Sequence, residues 1–125
     1  MSVIRGYRDL IAWQKSMDLA DGVLDLADML QRPQTFGLVD QMRRAAVSIP
    51  SNIAEGHGRR SRGEYIRFVS IANGSLRELE TQLLLVQRRK LASSDEVGGL
   101  LTIADEVGRL LTGLHRRLIG MHQPR

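Results

Sequence analysis

Apolar residues recur along this chain at helical spacing in four segments, separated by stretches rich in Gly, Pro or Ser. The first predicted helix covers about residues 8–31 and stops before Pro33. Trp13, Met17, Ala20, Leu24 and Ala27 form one stripe on it, and Leu19, Val23, Leu26 and Leu30 form a second. By the 3.6-residue period the two stripes lie about 110° apart. Asp18, Asp21, Asp25 and Asp28 line the opposite flank. Two stripes on one helix imply either a broad core contact or a contact with another subunit. The second stripe is therefore a candidate oligomer interface.

The second predicted helix, about 37–56, buries Leu38, Met42, Ala45, Ile49 and Ile53 around an internal Pro50. Proline lacks the backbone donor, and its ring crowds the carbonyl four residues back, here Ala46. A kink near Ser48–Pro50 is expected, or a short break re-initiated by Ser48. The Asn52 amide is placed to satisfy the orphaned Ala46 carbonyl. Gly56 and Gly58 should end the helix in a left-handed cap. Glu55, an acid near a helix C-terminus, opposes the dipole. It is either a second interface candidate or the partner of an arginine such as Arg59 or Arg44.

Ser61 and Glu64 form a capping box for a third helix, about 62–90, and Ser93 and Glu96 one for a fourth, about 94–119. The third carries Tyr65, Phe68, Val69, Ala72, Leu76, Leu79, Leu83 and Val86. The fourth carries Val97, Leu100, Leu101, Ala104, Val107, Leu111, Leu114 and Leu118. With no strand candidate and short connections, residues 1–125 read as one all-α domain. The fold class is an up-down-up-down antiparallel four-helix bundle.

The 125 residues contain no cysteine, which excludes disulfides, thiolate metal sites and cysteine catalysis. No apolar run approaches the roughly 20 residues of a membrane span, and the first residues lack a signal-peptide core, so a cytoplasmic protein is expected. The net charge is +4 and the pI about 10.3. The basic character sits in the middle: residues 41–92 hold ten Lys or Arg against four acids. Candidate phosphate-binding residues are Arg43, Arg44, Arg59, Arg60, Arg62, Arg67, Arg88, Arg89 and Lys90. The 59–67 group belongs near the turn between helices two and three, and the 88–90 group at the opposite end. The plain alternative is a solvated surface whose arginines pair with the aspartates. Tyr7 and Tyr65 alone offer stacking, so contact with RNA or DNA should be backbone-directed.

Catalytic chemistry is not evident. No glutamate precedes a histidine by three, as a di-iron bundle requires. His57, His115 and His122 lack metal-ligand spacing. Gly56-His57-Gly58 lacks the lysine and strand of a phosphate loop. Neither cofactor nor metal is expected.

The run Leu38–Arg60 is accompanied by Tyr7-Arg8-Asp9-Leu10 and Trp13 before it. Ile66-Arg67-Phe68, Ala72, Gly74-Ser75-Leu76 and the segment Glu78–Leu83 follow it. Together these resemble the four-helix-bundle proteins encoded in intervening sequences of bacterial 23S rRNA genes, related to the accessory variability determinant of diversity-generating retroelements. The specific core of the resemblance is residues 43–56, RRAAVSIPSNIAEG. It implies a cytosolic, non-enzymatic homopentamer without a settled biochemical role. The retroelement relative binds nucleic acid and its reverse transcriptase through a basic surface. The expected partners are therefore RNA or DNA, or else a protein such as a reverse transcriptase for which this chain is a scaffold. Two positions depart from the pattern: Asn73, where arginine is common, and His57, where an aromatic residue is common.

Overall fold

A computed structural model of the chain describes residues 3–121. Its helices are α1 (Ile11–Met29), α2 (Phe36–His57), α3 (Arg62–Arg88) and α4 (Ser94–Met121). Short 3₁₀ turns at Tyr7–Asp9 and Pro33–Thr35 precede the first two. Domain limits at 1 and 125, and His122, lie outside the described residues.

Each helix packs on its neighbour in sequence, and α1 closes the square against α4. Residue pairs give the directions. Ser48 faces Ser75, and Gly56 faces Tyr65 and Phe68, so α2 and α3 are antiparallel. Lys15 pairs with Glu106 while Gly22 meets Leu100, so α1 and α4 are antiparallel. Gly108 lies against Leu76, and Arg62 reaches the carbonyl of Met121, which sets α4 antiparallel to α3. Arg43 pairs with Asp28 near the α1–α2 turn. The bundle is up-down-up-down.

The helix predicted over 8–31 is divided at Leu10, which is extended (φ −75°, ψ 125°). Asp9 and Leu10 donate backbone bonds back to Gly6 and Tyr7, and the Gln14 amide returns to the Arg8 carbonyl at 2.9 Å. These local bonds hold a separate 3₁₀ turn. At the other end of α1, the buried Thr35 hydroxyl donates to the Leu30 carbonyl and so caps the helix.

The two stripes of α1 exchange the roles expected of them. Leu19 and Val23 are 0% exposed, and Leu26 and Leu30 2%, all within their own chain. They are the centre of the core and cannot form an intersubunit face. In a square of helices α1 must cover both α2 and α4, so its buried arc spans both stripes and the bundle axis falls on the second. Along the first stripe, Trp13 and Leu24 are half-buried and Met17 is exposed.

Pro50 neither breaks α2 nor prompts re-initiation at Ser48; the helix is continuous from Phe36 to His57. Side chains supply donors around it. Ser51 Oγ donates to the Val47 carbonyl at 2.7 Å. Asn52 Nδ2 donates to the Ser48 carbonyl at 2.8 Å and to Ser48 Oγ at 2.9 Å. Asn52 thus serves Ser48 rather than Ala46, because its side chain reaches back a single turn. Ser48 Oγ in turn lies 2.8 Å from Ser75 Oγ on α3, joining the two helices.

Gly56 does not end α2, and Gly58 is right-handed (φ −81°). Gly56 is buried against α3, and a Cβ built there would stand 2.7 Å from Phe68 Cβ and 3.2 Å from Tyr65 Cδ1. Close approach, not a left-handed backbone, selects glycine here. The left-handed residue is Lys90 (φ 56°) after α3. There, Lys90 N–H donates to Gln87 and Leu91 N–H to Val86, the bonds of a Schellman motif.

Besides Thr35, two polar side chains are buried among the described residues. Ser16 donates to the Trp13 carbonyl at 2.8 Å. Gln82 is 4% exposed, and neither of its amide atoms has a partner among the described residues.

Gly56→Ala should destabilise the protein by about 1–3 kcal/mol, through overpacking against α3. Gly74, with open space around its Cα, tests the opposite sign: Gly74→Ala should stabilise by about 0.5–1 kcal/mol. Urea midpoints of the two variants check both.

Candidate nucleic-acid interface

The antiparallel packing gathers cations at the end of the bundle that holds the α2–α3 turn. Arg59, Arg60, Arg62 and Arg67 come from that turn and the first turns of α3, Arg116 and Arg117 from the last turns of α4. Arg5 and Arg8 precede α1 at the same end. Asp9, Glu55 and Glu64 are the carboxylates there. Arg59 engages two of them, Glu55 at 2.9 Å and Glu64 at 3.7 Å. It also lies 4.8 Å from the centroid of the Phe68 ring. Glu55 is therefore held within its own chain by an arginine four residues on, just past the end of α2, as one of the two sequence readings required.

Arg62 donates to the Met121 carbonyl at 3.0 Å. Arg67 lies 5.8 Å from the Phe68 centroid. Arg60, Arg67, Arg116 and Arg117 have no carboxylate partner among the described residues. These guanidinium groups are free to meet phosphate.

Arg43 and Arg44 stand apart from that cluster and are neutralised. Arg43 bridges to Asp28 at 2.8 Å, and Arg44 to Asp40 at 3.2 Å. Arg88, Arg89 and Lys90 lie at the far end, exposed and without ion pairs among the described residues. The nine candidates thus separate into two ends and a neutralised pair. Arg116 and Arg117 are members that sequence reasoning missed. The antiparallel rule itself would have placed the C-terminus of α4 beside the α2–α3 turn.

Two clefts run along the outer α3–α4 seam. One, with a volume of about 290 Å³, is lined by Val69, Ser70, Asn73, Leu111, Thr112, His115 and Arg116. The other shares Thr112 and Arg116 and adds Arg77, Asp105, Gly108, Arg109 and Gly113. A separate apolar cleft between α1 and α2 is lined by Trp13, Met17, Ala20, Leu24, Val47, Pro50 and Ala54, with Tyr7 at its edge. Among the described residues no group of three or more His, Asp or Glu could hold a metal ion. No described helix is long and apolar enough to cross a membrane.

His57 supplies the aromatic contact expected of its position: its ring meets Tyr65 edge-on, with centroids 5.7 Å apart. Burial pushes the Tyr65 phenol above its ordinary value of 10.0, against the opposing pull of the Arg117 charge. The phenol therefore ionises more readily in the unfolded chain. Its contribution is complete below about pH 10 and is lost as pH rises through the folded value. Tyr65→Phe should flatten the fall in thermal stability above about pH 10, which melts across that range will show.

The fold and this site define a helical bundle with a strongly basic end. The chain belongs to the 23S rRNA-intervening sequence protein family, whose model matches residues 8–113. A crystal structure at 1.70 Å of a protein of unknown function, from the S23 ribosomal protein family of Bacteroides thetaiotaomicron, is similar. Its TM-score is 0.80 at 25% identity, over 84% of this chain and 98% of that one. No curated protein matches the chain.

Proposed function

We propose that this is a non-enzymatic cytoplasmic protein that binds RNA or DNA through the phosphate backbone, using the basic end of the bundle. The observation that supports it is the set of guanidinium groups without a carboxylate partner among the described residues, Arg60, Arg67, Arg116 and Arg117, drawn from the α2–α3 turn and two helices to one end. Arginine presents a planar fork that matches phosphate oxygens. No described side chain is placed as a base-reading platform, so affinity is independent of sequence and falls with salt as counterions are displaced. A polarisation titration with a labelled duplex at two salt concentrations tests this. Binding at low salt should weaken as salt rises, and Arg60→Glu with Arg67→Glu should reduce the salt slope by about 2. Absence of measurable binding at low salt sinks the reading and leaves a scaffold for a protein partner.

Self-association is favoured by a different observation. Met17 and Val47 are 40% and 47% exposed at the apolar α1–α2 cleft. Covering that cleft with a second copy would bury them, and a closed ring of five is the assembly that the resemblance implies. Light scattering should give a mass several times the 14.0 kDa of one chain. Val47→Arg with Met17→Arg should return it to that of a monomer. A wild-type monomer would refute self-association while leaving the phosphate contacts intact.

A further inference from the structure

Charge is sorted along the length of the bundle. The end that holds the α2–α3 turn carries the eight arginines already placed there, against Asp9, Glu55 and Glu64. The opposite end carries Arg32, Arg88, Arg89 and Lys90, against Asp95 and Glu96. Between them the sign reverses: residues 11–28, 38–54, 68–83 and 97–114 hold nine Asp or Glu and only five Lys or Arg. All five of those cations are engaged, Lys15 with Glu106, Arg43 with Asp28, Arg44 with Asp40, Arg77 with Glu80 and Arg109 with Asp105. Asp18, Asp21, Asp25 and Glu78 are exposed in this middle zone and have no cation partner among the described residues. The cations of the second pole are not consumed as helix caps. The carbonyls of Leu85, Val86 and Gln87 accept from the backbone N–H groups of Arg89, Leu91 and Lys90.

We propose that the two poles hold separate nucleic-acid segments, so that one molecule tethers two duplexes. This rests on the phosphate contacts proposed for the α2–α3 end and adds a second surface of the same chemistry, facing the other way. The 27 residues of α3, at 1.5 Å each, set the poles about 40 Å apart. That is several times the Debye length of about 8 Å at physiological salt, so each pole attracts phosphate on its own. A single duplex laid along the bundle to touch both poles would set its phosphates against Asp18, Asp21, Asp25 or Glu78. Like charges at that range repel. Two duplexes, one at each pole, avoid the acidic middle altogether.

Co-capture of two duplexes tests this. One short duplex is immobilised on beads, a second carries a dye, and the dye retained by the full chain at low salt is measured. The unmodified protein should retain it. Arg32→Glu with Arg88→Glu and Arg89→Glu should cut retention at least about fivefold, while polarisation still shows binding of a single duplex. Lys15→Glu with Arg44→Glu and Arg109→Glu makes the same change in net charge on the flanks and should leave co-capture intact. Thermal melts verify that each variant is folded. Met17→Glu with Val47→Glu, which opposes association of copies and keeps the flank acidic, should also still co-capture. Loss of co-capture together with the mass of an assembly would place the bridge between copies and overturn the proposal. Equal loss in the flank variant, or indifference to the pole variant, would do the same. Binding of one duplex without co-capture sinks the tether alone, whereas no binding at low salt sinks the phosphate reading and the tether with it.

Discussion

The seam between α2 and α3 is the constraint on which the other contacts depend. Gly56 lets the two backbones approach until Phe68 and Tyr65 stand where a side chain would begin. About two turns earlier, Ser48 is tied to Ser75 across the same seam and is held by Asn52 from its own helix. Ile49 and Ile53, wholly buried, fill the space on the core side. Truncating a buried isoleucine of this kind typically costs about 2–5 kcal/mol. The segment Ser48–Gly56, the most characteristic part of the chain, is therefore a packing device. Its serine, asparagine and glycine are required by the neighbouring helix, not by a ligand.

That seam also sets the electrostatics. With α2 and α3 held antiparallel, their connecting turn and the first turns of α3 carry four arginines, and α4 must return its own arginines to the same end. Along the flanks, Lys15 with Glu106, Arg43 with Asp28 and Arg44 with Asp40 neutralise one another. Exposed pairs such as these contribute only about 0–1 kcal/mol each. Their larger effect is to engage the cations of the flanks, while those without a carboxylate partner among the described residues collect at the ends. The positive field is concentrated at the ends of the bundle instead of spread over the whole surface.

Much of the fold was legible in the chain, and the losses are instructive. Helices two, three and four end within two residues of their expected limits, because Ser61, Ser93 and the glycines around 56–58 mark them locally. The break at Leu10 was not visible, since it rests on hydrogen bonds among Arg5, Gly6, Tyr7 and Gln14 that no periodicity encodes. The buried Thr35, Ser16 and Gln82 look like surface residues in a linear reading. Half of the basic end was legible too. Arg59–Arg67 could be placed from the turn, whereas Arg116 and Arg117 join it only through the return of α4.

Periodicity and capping chemistry by themselves determined an all-α bundle with four amphipathic helices, because the 3.6-residue repeat and the serine caps are local. Tertiary structure alone decided which of the two stripes on α1 faces the axis. Both stripes satisfy the same period, and only the positions of α2 and α4 distinguish them. It likewise decided that Gly56 serves proximity and not chain reversal. It also buried Asn73 Oδ1 along the α3–α4 seam with no partner among the described residues, because a side chain's surroundings come from helices distant in sequence.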